Sequence, residues 1–181
     1  MSINKIITKR GDQGQTDLFK VGRVAKNHPH MNALGTLDEL ASWLGLAQAV
    51  NQQAGNELEA EALHSLQEGL GQVLNEVALS PSRTVTDESR VTVDQVSQVE
   101  LLTEQAKARL AETSAATGAF VLPGGKVEVA TLHVARTIAR RAEREVVAII
   151  DDLEADSQVI PFLNRLSDCC YAIALAQQES N

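Results

Sequence analysis

Apolar residues recur at three- and four-residue intervals over most of this chain, and that period predicts helices. Leu34, Leu37, Leu40, Ala41, Leu44 and Ala47 mark a first helix over about 31–53. Leu58, Ala62, Leu66, Leu70, Val73, Leu74 and Val77 mark a second over 57–79, ended by Ser80-Pro81-Ser82. Residues 82–91 read as an exposed loop. Asp94 is placed as the cap of a third helix over about 94–116, closed by Thr117-Gly118. Phe120-Val121-Leu122-Pro123-Gly124-Gly125 reads as a short extended piece with a turn. A fourth helix is predicted over 127–152. A fifth covers 157–178, with Pro161 in its first turn. Residues 1–30 lack helical periodicity. Five long helices with short links predict an all-α bundle over 31–178. Its apolar faces are broad for a single antiparallel bundle, which predicts an oligomer.

Composition narrows the picture. The 181 residues suffice for one domain with a real core. Aromatics make up 3% while hydrophobic residues reach 44%, which favours helix-on-helix packing over a β-sandwich. The net charge of −8 argues against a nucleic-acid binder. No apolar run reaches the ~18–20 residues of a membrane span, and the N-terminus lacks a signal-peptide core. The only cysteines, Cys169 and Cys170, are adjacent on a helix, point apart, and read as packing residues in a reducing cytoplasm. No Cys/His spacing suggests zinc.

Against this acidic background, basic residues cluster in LHVARTIARRAER. Arg136, Arg140 and Arg144 are spaced four apart on one helix face, with His133 and Glu143 beside them. Such a stripe is either a solvated face or a receptor for an anion, for which the planar guanidinium is well suited. Thr8-Lys9-Arg10-Gly11-Asp12-Gln13-Gly14-Gln15-Thr16 offers two glycines, hydroxyls and backbone N–H groups to an anion, without the spacing of a Walker A loop. Arg23 and Lys26 either close over the same anion or face water. Asp38 suits a pair with an arginine of another helix or subunit, and its neighbour Glu39 reads as solvent-facing. Asn164 can orient a ligand by donating and accepting together, or tie down backbone. Asp168, one turn on, is a candidate partner for Arg165. His133 reads as a packing histidine, and Phe120 as a core plug or a ring held in a pocket.

The segments TKRGDQGQT, RVAKNHP, GTLDEL, FVLPGG, LHVARTIARRAER and FLNRLSD, in this order over residues 8–168, resemble the PduO-type ATP:cob(I)alamin adenosyltransferases. The resemblance implies a ferritin-like five-helix bundle assembled as a homotrimer, with active sites between subunits. Residues 1–181 would form one domain, 1–30 its ATP-binding segment, without the second domain of some members. The activity implied is transfer of the 5′-deoxyadenosyl group of ATP to the cobalt of cob(I)alamin, with magnesium on the nucleotide. By matching positions, Thr8, Lys9, Gly11, Asp12, Gly14, Gln15, Thr16 and Lys26 would wrap the triphosphate. Arg140, Glu143 and Asn164 would contact ATP. Asp38 and Arg136 would form an inter-subunit salt bridge shaping the corrinoid site, Phe120 would press on the lower corrin face, and Asp168 would stand nearby.

The resemblance also implies what is not in the chain. No flavin or iron–sulfur signature occurs, so electrons would come from a separate flavoprotein-type reductase, and an adenosylcobalamin-dependent enzyme would take the product. Leu34 and Ala41 stand where the family often has Tyr and Asn, and Arg10 and Lys126 where smaller residues are frequent. A carrier that binds ATP and corrinoid without catalysis would use the same residues. A ferritin-like metal protein would need paired Glu-x-x-His motifs, which are absent.

Overall fold

The computed structural model describes residues 7–113 and 122–178. The chain opens with an antiparallel hairpin of β1 (Gln15–Leu18) and β2 (Gly22–Ala25), pairing Thr16 with Val24 and Asp17 with Arg23. Five helices follow among the described residues: α1 (Pro29–Gln53), α2 (Glu57–Leu79), α3 (Val93–Thr113), α4 (Val127–Val147) and α5 (Val159–Gln178). The hairpin is absent from the periodicity reading because its four-residue strands are largely exposed and carry no apolar alternation.

In packing order the helices run α2, α1, α4, α5, α3, each resting on the next, while α2 and α3 meet only sparsely. Leu37, Leu40 and Leu44 of α1 interlock with Leu63, Leu66 and Leu70 of α2, all fully buried. Ala135, Ala139 and Ala142 give α4 a face of small residues that suits close approach to its neighbours. Phe162 of α5 fills the space beside Gly69 of α2; a Cβ on that glycine would lie 2.6 Å from the ring. Glycine inside a helix costs about 1 kcal/mol relative to alanine. Burying an aromatic ring is worth ~1.5–3 kcal/mol, which outweighs that cost.

Helix ends follow local chemistry. α1 starts two residues earlier than its periodicity suggests, because His28 accepts the His30 N–H through Nδ1 (3.3 Å) and Pro29 occupies the first turn. The cap expected at Asp94 is instead Thr92. Its Oγ1 accepts the Gln95 N–H (3.2 Å) while Gln95 Oε1 accepts the Thr92 N–H (2.8 Å), a reciprocal capping box. Asp94 sits within the first turn, where the helix dipole favours a negative charge. α4 ends at Val147, and a 3-10 turn over Ile150–Asp152 replaces the last turn expected to 152. Asp151 and Asp152 would oppose the dipole at a helix C-terminus. α5 begins at Val159, two residues later than expected.

α5 is long and apolar enough, by composition alone, to cross a membrane. Its apolar positions are used in the bundle: Val159, Phe162, Leu163, Leu166, Cys169, Cys170 and Ile173 are all buried. Both cysteines are free and fully buried, as packing residues should be. Burial raises the Cys169 thiol to about 11 and drives that of Cys170 up as well, so both stay protonated and inert.

Candidate functional site

The N-terminal loop is a succession of tight turns. Asp12 N–H donates to Lys9 O (3.3 Å), Gly14 N–H to Gly11 O (3.1 Å) and Lys26 N–H to Gly14 O (2.9 Å). Gly14 has φ +76°, a conformation open to glycine, and Lys9 adopts φ +56°. The Lys26 ammonium lies over Gly11, 3.0 Å from where a Cβ would stand, so it is brought to the loop. Asp17 pairs with Arg10 (3.0 Å) and Arg23 (3.8 Å), and Arg23 also donates to Arg10 O (2.7 Å). Arg23 is therefore tied within the hairpin. Thr8, Lys9, Asp12, Gln15 and Lys26 remain exposed, with Thr16 half-buried.

On α4, Arg140 and Arg144 are exposed and Arg136 is half-buried. Arg144 donates to the Arg140 carbonyl (3.0 Å), leaving the Arg140 side chain outward. The Arg136 guanidinium lies 5.4 Å over the ring of Tyr171 on α5, a cation–π contact. The Tyr171 ring is also 6.2 Å from that of His133. Neither nitrogen of buried His133, nor Nε of Arg136, has a hydrogen-bond partner among the described residues. Burial, then the Arg136 charge, lowers the His133 pKa, so the ring is neutral at pH 7 and serves packing.

Glu143 and Asn164 meet between α4 and α5, with Asn164 Nδ2 donating to Glu143 Oε1 (3.2 Å). Asn164 Oδ1 accepts from Arg165 (2.8 Å), whose Nε donates to Glu100 of α3 (2.8 Å). Arg165 thus pairs with Glu100 and Asn164 rather than with Asp168. Asp168 is exposed and lines a groove of about 670 Å³ between α3 and α5, with Thr103, Leu110, Arg165, Tyr171 and Leu175. Sequence reasoning did not single out Tyr171 and Arg165 as lining a groove. The signal was there for Tyr171, the chain's one tyrosine, two helical turns beyond Asn164.

Asp38 is exposed on α1 and makes no ion pair within its own chain among the described residues, so Asp38 and Arg136 do not meet here. Glu39 faces water as expected and also pairs with Arg141 of α4. Phe120 lies outside the described residues. Leu122 is exposed, and Gly124 and Gly125 adopt φ +150° and +90° in the turn into α4. No group of three His, Cys, Asp or Glu side chains suited to a metal ion occurs among the described residues.

The fold and site define a helical bundle that gathers an arginine stripe, a braced carboxamide and an apolar groove along one side of α4 and α5. The chain belongs to the cobalamin adenosyltransferase family, whose sequence pattern matches residues 6–177. It is 35% identical over 172 residues to the corrinoid adenosyltransferase PduO of Salmonella typhimurium, covering 95% of this chain and 49% of that protein. The chain therefore spans about half the length of that relative. It is 38% identical to the corrinoid adenosyltransferase of Bacillus subtilis, over 94% of this chain and 84% of the relative. Among solved structures, a phenylalanine-to-alanine variant of the PduO-type ATP:corrinoid adenosyltransferase from Lactobacillus reuteri, complexed with cobalamin and ATP, superposes with a TM-score of 0.78. The two are 32% identical, and the match covers 96% of this chain and 93% of the other. The five-helix bundle is thus the PduO-type fold.

Proposed function

We propose that the chain transfers the 5′-deoxyadenosyl group of ATP to the cobalt of cob(I)alamin, giving adenosylcobalamin and inorganic triphosphate. The observation that carries this reading is the union, on one wall, of the outward Arg140, the Glu143–Asn164 pair and the groove containing Asp168 and Tyr171. ATP lies along α4 with its phosphates on Arg140 and under the loop of Thr8, Lys9, Gly11, Asp12, Gly14, Gln15, Thr16 and Lys26. The corrinoid lies towards Arg136, Asp168 and the groove, with Phe120 against its lower face.

The cobalt lone pair attacks C5′, the C5′–O bond breaks, and its electrons leave with the triphosphate. The nucleophile comes with the substrate, so the protein needs no activated Ser, Cys or His. Its task is to align the reactants and to stabilise charge building on the leaving oxygens, for which Arg140, Lys26 and the loop N–H groups are suited. Magnesium travels on the phosphates of ATP. Electrons for the cobalt come from a separate reductase, and an adenosylcobalamin-dependent enzyme in the cytoplasm takes the product.

The assembly is a homotrimer, in which Asp38 of one copy meets Arg136 of the next. Asp38, exposed and without an ion pair among the described residues, supports a second copy at this face.

Anaerobic spectroscopy with cob(I)alamin, MgATP and a strong reductant tests the activity. The expected result is ATP-dependent decay of the cob(I)alamin absorbance and growth of light-sensitive adenosylcobalamin. Arg140→Ala should slow turnover by about 10²–10³, the usual cost of one charge-stabilising donor. Binding of both ligands without product would replace the transferase with a carrier.

A further inference from the structure

We propose that Arg165, braced by Glu100, is a positioning residue that sets the carboxamide of Asn164 for the nucleotide. This rests on the reading that Asn164 contacts ATP. Residues i and i+1 of a helix point about 100° apart and do not normally face each other. Arg165 nevertheless curls back onto Asn164 Oδ1 (2.8 Å), and Glu100 of the neighbouring helix holds its other edge through Nε (2.8 Å). The planar fork makes both contacts at once, which a lysine ammonium on a flexible stem reproduces poorly.

The orientation of the amide is dictated by its partners. A carboxylate only accepts, and a guanidinium only donates, so Nδ2 must face Glu143 on α4 and Oδ1 must face Arg165. One N–H of Asn164 is left to donate, and it meets an acceptor atom of the ligand in a fixed direction. The chain Glu100–Arg165–Asn164–Glu143 thus ties α3, α5 and α4 together beside the nucleotide. Arg165 and Glu100 also line the groove, so the same link stands where the nucleotide and corrinoid sites meet.

The test is a double-mutant cycle on the full chain, with KM for ATP and KM for cob(I)alamin measured separately. Arg165→Met should raise KM for ATP about tenfold, the worth of one charge-assisted hydrogen bond, and raise KM for cob(I)alamin by clearly less, since Arg165 also lines the groove. Glu100→Leu should raise it less. Glu100→Gln, which keeps an oxygen for Nε, should return towards native. Asn164→Ala combined with Arg165→Met should be no worse than Asn164→Ala alone. Arg165 is 43% exposed, so folding should survive, and urea denaturation of each variant checks it. The inference is overturned if Asn164→Ala raises KM for ATP while Arg165→Met does not, if the two effects multiply, or if Arg165→Met acts on cob(I)alamin instead. If Asn164→Ala leaves KM for ATP unchanged, the nucleotide role of Asn164 itself is wrong, and the inference goes with it.

Discussion

Two buried polar sites in this bundle are built in opposite ways. At the junction of α2 with the connections before α3 and α5, Glu76 is 1% exposed and both its oxygens are used. One accepts the Val91 N–H (2.6 Å) and the other the Ser157 hydroxyl (2.6 Å), and Ser157 Oγ in turn accepts the Val159 N–H (3.3 Å) at the start of α5. On the wall of α4 and α5, His133 is 3% exposed with both nitrogens unpaired, and Arg136 has only an aromatic face beneath it. A buried carboxylate with both oxygens engaged holds three segments in one arrangement. A buried imidazole and a guanidinium Nε without a partner among the described residues hold nothing in place by hydrogen bonding. The difference separates a polar site that organises the fold from one that only packs.

The largest expected effect tests the organising site. Glu76→Leu strands the Val91 N–H and the Ser157 hydroxyl, each worth roughly 1–3 kcal/mol when buried and unpaired, so the loss should be on the order of 3 kcal/mol in urea denaturation. Stability within 1 kcal/mol of native would mean that water already serves these groups, and the contrast would collapse.

The second prediction concerns the packing site. His133 has a folded pKa below its unfolded value, so the unfolded chain takes up a proton first as pH falls. Stability is therefore fully present above about pH 6.5 and declines as pH drops below it, levelling only under the folded pKa. His133→Leu should flatten that decline in denaturation midpoints measured from pH 7 to 5. Part of the slope should remain, because His30 is also buried with a lowered pKa, partly offset by Asp152 at 3.5 Å. An unchanged slope would show that His133 is solvated.

The smallest effect lies at the surface. Glu39 and Arg141 pair across α1 and α4 with both side chains nearly half exposed. Glu39→Gln should cost under about 1 kcal/mol. A larger loss would make this pair, rather than Glu76, an organiser of the bundle.

How legible each region was follows from the range of its interactions. α1 and α2 were readable because Leu37, Leu40 and Leu44, and Leu63, Leu66 and Leu70, carry the helical period within a few residues. The end of α4 was overrun because Ile149 stays apolar and buried beyond the last helical turn, so the pattern outlasts the helix. Thr92 was missed because its cap depends on Gln95 folding back. Within the site, the shared face of Arg136, Arg140 and Arg144 is a matter of spacing and was visible. The Glu143–Asn164 contact spans 21 residues and Glu100–Arg165 spans 65, and no local pattern encodes which helices become neighbours. The resemblance to a family supplied roles for Glu143 and Asn164 but was silent on the brace behind them.

The ring of Phe162 seated beside Gly69 acts as a dowel. α5 has little other purchase on α2, so this one fit anchors it on that side, while α4 and α3 hold the rest of its length. Asn164, Arg165 and Asp168 ride on the same helix within two turns of that ring. A methyl group at position 69 would therefore press, from the far side of the bundle, on the helix that carries the carboxamide.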